Sequence, residues 1–176
     1  VCAGKSLAGL QFLSRIFHDR TLHKYYLCLV KGKLDKPAHI KGYLHKDKKT
    51  NKVTISKQEF PDSLPIETAY RPIDSNGKMT FLEVELITGR THQIRAHLAG
   101  TGHPLLGDTK YGDNEFNKQY TRHGVKHQLL HAYRLVIPET DQAFVAPVPE
   151  LFFKIINEEH LQEAYHENLE RCMGLC

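Results

Sequence analysis

Tryptophan is absent from the 176 residues, methionine occurs twice and cysteine four times. The cysteines, Cys2, Cys28, Cys172 and Cys176, are scattered without the paired spacings of a disulfide framework, so reduced thiols are expected. No apolar run approaches the roughly 18 residues that a membrane span needs. The opening residues also lack the charged-then-apolar order of a secretory leader, so a cytoplasmic location with no membrane partner is expected. Strong charge of either sign is missing too. With 24 basic and 20 acidic residues the formal net charge is +4, which permits binding to an anionic polymer without demanding it. Internal repeats and low-complexity segments are lacking. What remains is ordinary globular composition, 40% apolar and 25% charged, in a chain long enough to bury the core of one domain. The first residues, Val1-Cys-Ala-Gly-Lys-Ser6, contain no Met and open on apolar residues, as a chain cut inside a strand would. The 1–176 stretch is therefore expected to be the C-terminal part of a longer domain.

Periodicity then divides the chain. Leu7, Leu10, Leu13 and Phe17 recur at helical spacing, predicting an amphipathic helix from Ser6 to about Arg20. Lys24 to Lys31 is aromatic, apolar and stopped by Gly32, which suits a buried strand. Weaker strands are expected around Gly42–His45 and Val53–Ile55, with a lysine-rich solvated loop between them. Leu82, Val84 and Leu86 alternate with Glu83 and Glu85, the period of a half-buried strand. Asn76-Gly77 marks the turn back to a partner strand over Ile66–Ile73, because Asn-Gly accepts positive φ. A helix over Thr91–Ala99, a Gly/Asp/Asn-rich loop to about Asn117, strands over Gln128–Ile137 and Ala143–Val148, and a last helix over 149–170 complete the pattern. Strands in meander order outnumber helices, so the fold class is α+β, a mixed, largely antiparallel sheet with flanking helices.

Several segments could carry chemistry. Gly4-Lys5-Ser6 resembles the tail of a phosphate-binding loop, although a plain helix start explains it as well. His92 and His97 are five apart and fall on different helix faces, unlike a zinc-protease pair. His160, His166, Cys172 and Cys176 match none of the usual zinc spacings, so no metal is expected. The richest stretch is Thr88 to Gly112. It sets Arg90, His92, Gln93 and Arg95 around the first turns of a helix, an N-terminus suited to anions. Arg90 and Arg95 differ by five positions, so one can face solvent phosphate while the other reaches inward.

Gly89-Arg-Thr-His-Gln-Ile-Arg95, then Gly102-His-Pro-Leu-Leu-Gly-Asp108, then Tyr111-Gly112, resembles a signature of the RluA-like family of RNA pseudouridine synthases. Ala3-Gly-Lys5, Lys24-Tyr-Tyr26, Val30-Lys-Gly32, Ile66-Glu-Thr-Ala-Tyr70 and Leu130-His-Ala132 match further family segments in the right order. The resemblance covers about residues 1 to 150. It implies isomerisation of uridine to pseudouridine without a cofactor, in structured RNA, with large-subunit ribosomal RNA the first candidate and transfer RNA the second. It implies Tyr26 and Arg95 as catalytic positions: Tyr26 stacks on the base and is a candidate to take the C5 proton, and Arg95 pairs with the catalytic Asp. Arg90, His92, Gln93, Leu130 and His131 are expected to bind substrate. Tyr25 beside Tyr26 is the confounder, since alternation sends only one of them toward the cleft. The family's nucleophile is the Asp of a His-Arg-Leu-Asp motif, and no such motif occurs in these 176 residues. A carboxylate nucleophile must stay ionised in a desolvated pocket, which is what a neighbouring Arg achieves. A noncatalytic RNA-binding module and, less favoured, a P-loop NTPase fragment are the rivals from other classes. Either loses to the family reading if His-Arg-Leu-Asp lies upstream of Val1 in the parent gene.

The 176-residue chain on its own is expected to release no tritium from C5-labelled uridine in ribosomal RNA transcripts. Turnover at enzymic rates would place the nucleophile within this sequence.

Overall fold

The computed structural model describes residues 2–161. Residues 2–5 precede the first element and contain no strand. In chain order the elements are α1 (Leu7–Asp19), β1 (His23–Lys31), β2 (Ala38–Lys46), β3 (Val53–Ser56), β4 (Leu64–Ser75), β5 (Met79–Leu86), α2 (Gln93–Gly100), α3 (Asn114–Tyr120), β6 (Leu130–Ile137), β7 (Gln142–Val145) and α4 (Glu150–Glu158). Short 3-10 turns at Thr121–His123 and Pro138–Thr140 link α3 to β6 and β6 to β7. The seven strands form one sheet in the order β3-β2-β4-β5-β1-β6-β7. Every pairing among the described strands is antiparallel, so the mixed sheet expected from the sequence is a purely antiparallel one here.

Local chemistry explains the boundaries. Ser6 Oγ accepts from the Gly9 N–H at 3.1 Å and caps α1, so Gly4-Lys5-Ser6 serves as an ordinary helix start. At the β4–β5 turn, Gly77 has φ of 85° and Asn76 Oδ1 accepts from the Lys78 and Met79 N–H groups at 3.0 and 2.9 Å. Two expectations need correction. The loop reaching to Asn117 contains α3, started by the Asp113 carboxylate, which accepts from the Phe116 N–H at 2.8 Å. The helix expected over 149–170 ends at Glu158, with His160 in the left-handed region; residues 162–176, and with them His166, Cys172 and Cys176, lie outside the described residues.

The sheet is covered on both faces, which is why β1 shows four consecutive buried residues, Leu27 to Val30, instead of an alternation. Leu27, Leu29, Ile73 and Phe81 pack on one face against Phe116 and Tyr120 of α3 and Phe152, Ile155 and Ile156 of α4. Cys28, Val30, Leu82 and Val84 pack on the other against Ile94 and Leu98 of α2. A smaller cluster of Leu44, Val53, Ile66 and Ala96 extends that second face toward β3. Helix α1 packs on the sheet through Ile16, with Phe12 and Leu13 partly buried beside it, against Leu22, Leu135 and Ile137, while Leu7, Leu10 and Phe17 stay exposed. The outer strand β7 is exposed along its whole length.

One buried group links this packing to pH. His97 on α2 is 4% exposed, with Nδ1 3.0 Å from Thr68 Oγ1, and burial pushes its pKa down to about 4. The fold therefore requires neutral imidazole, whereas the unfolded chain takes up a proton near the ordinary value of 6.5. Stability from this residue is complete above about pH 6.5 and is lost as pH falls toward 4, up to about 3 kcal/mol. Urea unfolding of the native protein and of His97→Gln at pH 7 and pH 4.5 should show a smaller acid-induced loss in the variant. Equal losses would remove His97 from the account.

Candidate active site

Strand alternation separates the two tyrosines of β1. Tyr26 shares the face of Cys28 and Val30 and packs with the cluster that contains Ile94 and Leu98 of α2. Tyr25 packs on the opposite face, where the Arg134 guanidinium lies 4.1 Å from its ring centroid. On Tyr25's face Glu83 also accepts from Arg71 Nη2 at 2.9 Å and from the Tyr133 hydroxyl, forming a structural ion network. The side of the sheet that bears the helix of Arg95 is thus the Tyr26 side. Gly89 marks the approach, since a Cβ there would lie 3.3 Å from Lys24 Nζ, two residues before Tyr26 on the same face. Leu130 belongs to this side as well, whereas His131 turns to the other, its ring 6.1 Å from that of Phe152.

Arg95 does not stand alone. Its Nε and Nη2 donate to Asp108 Oδ2 and Oδ1, both at 2.7 Å, a bidentate pair in which the aspartate is completely buried. Burial by itself would raise the Asp108 pKa. The Arg95 hydrogen bonds and the N–H groups of Tyr111 and Lys110 outweigh it and hold the carboxyl below its ordinary range. Arg95 in turn lies 5.2 Å from the Tyr111 ring centroid. Nη1 of Arg95 makes no hydrogen bond among the described residues. The sequence motif therefore supplies its own carboxylate for Arg95, thirteen residues downstream.

Glycines make this geometry possible. Gly107 has φ of 78° and a Cβ there would lie 2.2 Å from the His127 carbonyl oxygen; a Cβ on Gly112 would lie 1.9 Å from the Asp108 carbonyl oxygen. The preceding His103-Pro104 segment is fixed to β1, with His103 Nδ1 3.0 Å from the Lys31 carbonyl oxygen and the Lys31 N–H donating to Pro104 O at 2.9 Å. Tyr111 extends the network. Its hydroxyl accepts from the Val53 N–H at 3.0 Å and sits 3.1 Å from His92 Nδ1. Burial, then the charges of Arg95 and Lys110, lower the His92 pKa and favour the neutral ring beside the Tyr111 hydroxyl.

Gln93 is 1% exposed and fully engaged within the protein. Its Nε2 donates to Glu67 O and Thr68 Oγ1, both at 3.0 Å, and its Oε1 accepts from Thr88 Oγ1 at 2.8 Å and from the Arg90 N–H at 3.1 Å. This amide holds the 88–92 loop on β4 and so sets where Arg90 emerges. Arg90 itself forms no ion pair among the described residues, and its Nε is buried without a hydrogen-bond partner. Sequence reasoning thus named Tyr26, Arg95, His92 and Leu130, which the structure gathers on one side of the sheet, and His131, which it does not. It assigned no role to Asp108 or Tyr111, although both stand in the quoted motif. A buried acid in a Gly-Asp turn was the available signal. Among the described residues no group of three or more His, Cys, Asp or Glu is placed to hold a metal ion.

The pattern of the family described as RNA pseudouridylate synthase matches residues 1–100. The ribosomal large subunit pseudouridine synthase C of Vibrio vulnificus is 32% identical over 156 residues, 86% of this chain and 49% of that protein. The ribosomal large subunit pseudouridine synthase D of Nitrosomonas europaea is 34% identical over 146 residues, 78% of this chain and 41% of that protein. The chain spans about half the length of the curated relatives it matches. In fold it resembles the human RNA pseudouridylate synthase domain containing 4 protein, with TM-score 0.72, 19% identity and coverage of 89% of this chain and 69% of that one. The human domain containing 1 protein gives TM-score 0.67 and 23% identity, covering 82% of this chain and 61% of that one.

Removing one partner of a buried ion pair strands the other. Asp108→Ala should cost about 3–5 kcal/mol in urea unfolding, and Asp108→Asn, which keeps one of the two acceptor oxygens but loses the charge, should cost less. An Asp108→Ala protein of unchanged stability would mean that the pair does not hold α2 to the 105–112 loop.

Proposed function

The chain belongs to the RNA pseudouridylate synthase family, and from that premise we propose that it serves the isomerisation of uridine to pseudouridine in structured RNA, large-subunit ribosomal RNA being the substrate. The observation that carries the reading is the convergence of Tyr26, Leu130 and the Arg95-bearing helix α2 on one face of the sheet, at the positions of the family's motifs.

The reaction breaks the bond from N1 of uracil to C1′ of ribose, turns the base, joins C5 to C1′ and releases the C5 proton. It needs a carboxylate nucleophile, a surface for a base taken out of its stack, and a proton acceptor. The half-buried Tyr26 ring supplies the surface, with Leu130 as an apolar neighbour. Burial raises the Tyr26 pKa, so at neutral pH the residue is a neutral phenol. This favours stacking as its role over service as a phenolate base. Arg95 keeps Nη1 for the nucleophile's carboxylate, while Asp108 fixes the other edge of the guanidinium. An arginine held in this way lowers the pKa of an incoming carboxyl without reorganising during the reaction. Arg90 emerges on the same loop and binds a phosphate of the RNA, and His92 and Gln93 keep the loop in shape. His131, facing Phe152, supports β6 from behind.

In the full-length protein, Tyr26→Ala should weaken RNA binding by about 1–3 kcal/mol, five- to 150-fold, with a collapse of tritium release from C5-labelled uridine. Tyr26→Phe should keep both binding and most turnover. Normal binding with abolished turnover in Tyr26→Phe would make the hydroxyl the proton acceptor, and transfer RNA as the sole substrate would correct the choice of RNA.

A further inference from the structure

Hairpin β2–β3 and the 88–92 loop enclose a second feature, which shares only Arg90 with the substrate-binding residues above. A groove of about 990 Å³ runs between the hairpin, lined by Leu44, Lys46, Lys48 and Lys49, and the opposite wall of Leu64 and Arg90. We propose that this groove binds the phosphodiester backbone of the RNA substrate, so that the lysine-rich hairpin acts as a rail holding the strand beside the site of Arg95. The inference rests on the proposed function and names the part of the surface that the RNA covers.

Three observations carry it. First, the cations here are free. Lys31, Lys33, Lys41, Lys78 and Lys118 each have a carboxylate within ion-pair reach. Lys46, Lys48, Lys49 and Arg90 have none among the described residues, and Arg90 Nε is buried with no partner. Second, the acids of the groove do not offset this charge. Asp47 turns its carboxylate to the hairpin's own backbone, accepting from the Lys49 and Thr50 N–H groups at 2.7 and 3.2 Å. Asp62 and His45 are the other titratable groups that line the groove; Asp62 is exposed, and His45 Nδ1 lies 3.2 Å from the Asp62 carbonyl oxygen. Four cationic side chains thus face two carboxylates, one of them already engaged. Third, the hairpin is tied to the catalytic network. Val53 N–H donates to Tyr111, whose loop carries Asp108, and Lys110 Nζ donates to the Asn51 carbonyl oxygen at the hairpin tip. The rail is therefore held in fixed relation to Arg95. Phosphate contacts of this kind fix register and orientation without reading sequence, which suits lysine chains projecting from a two-stranded ribbon.

The test uses the full-length protein and a fluorescent large-subunit ribosomal RNA fragment, titrated over a range of salt. Lys46→Gln, Lys48→Gln and Lys49→Gln combined should lower the slope of log K against log salt by about 2–3, since each lost phosphate contact removes about 0.7–0.9. Adding Arg90→Gln should remove about one more. Lys118→Gln and Lys154→Gln, which lie on the helices of the opposite face, should leave the slope unchanged, and unaltered melting of all variants would exclude misfolding. An unchanged affinity and slope in the triple variant would overturn the rail. Because binding is read without turnover, the two readings separate. Weaker RNA binding by the triple variant of a protein that makes no pseudouridine would retire the proposed reaction and keep the rail. Normal turnover and normal salt dependence would do the reverse.

Discussion

Arg95 and Asp108 form the contact on which the site depends. The guanidinium projects from the first turn of α2, the carboxylate from a turn thirteen residues later, and two hydrogen bonds of 2.7 Å lock one to the other. Because Asp108 is completely buried, neither charge can be left without the other at small cost. Asp108 also accepts from two N–H groups of its own turn, which directs Tyr111 beneath the guanidinium and onward to His92 and Val53. One ion pair thus fixes a helix, a loop and a hairpin relative to each other. That is a demanding arrangement, and it explains why so much of the signature around it is glycine: a side chain at Gly107 or Gly112 would occupy space already held by backbone.

The sheet does the complementary work of sorting. Its pleat sends Tyr25 into an ion network with Arg134 and Glu83 and sends Tyr26 toward α2. Adjacent residues of like chemistry are given different tasks by the parity of the strand alone. The same parity separates Leu130 from His131 on β6. Covering both faces with helices then leaves β1 buried from Leu27 to Val30, so the strand that bears Tyr26 is anchored in the middle of the core and its aromatic ring is presented from a rigid support.

Much of this was legible without coordinates. The 3.6-residue recurrence of leucines marked α1, the alternation of Leu82, Val84 and Leu86 marked β5, and Asn76-Gly77 marked the turn between β4 and β5, because each of these is a local preference of the backbone. The loop around Asp113 was read as irregular because its Gly, Asp and Asn content signals turns, and the seven-residue helix α3 is too short for its apolar period to show. The extent of α4 was overstated because charged residues continue the helical composition past Glu158, where the chain turns into the left-handed region at His160.

By itself the sequence determined the family, the order of the elements and the residue types at Tyr26 and Arg95, since motif order and short-range periodicity are properties of the chain read along its length. Tertiary structure alone decided which tyrosine faces α2, which carboxylate receives Arg95, that Gln93 is consumed inside the scaffold, and that Arg90 lines one groove with the lysines of a hairpin about forty residues before it. Those outcomes depend on which strands become neighbours and on which charges are forced to share a buried space, and neither is encoded in the spacing of residues along one segment.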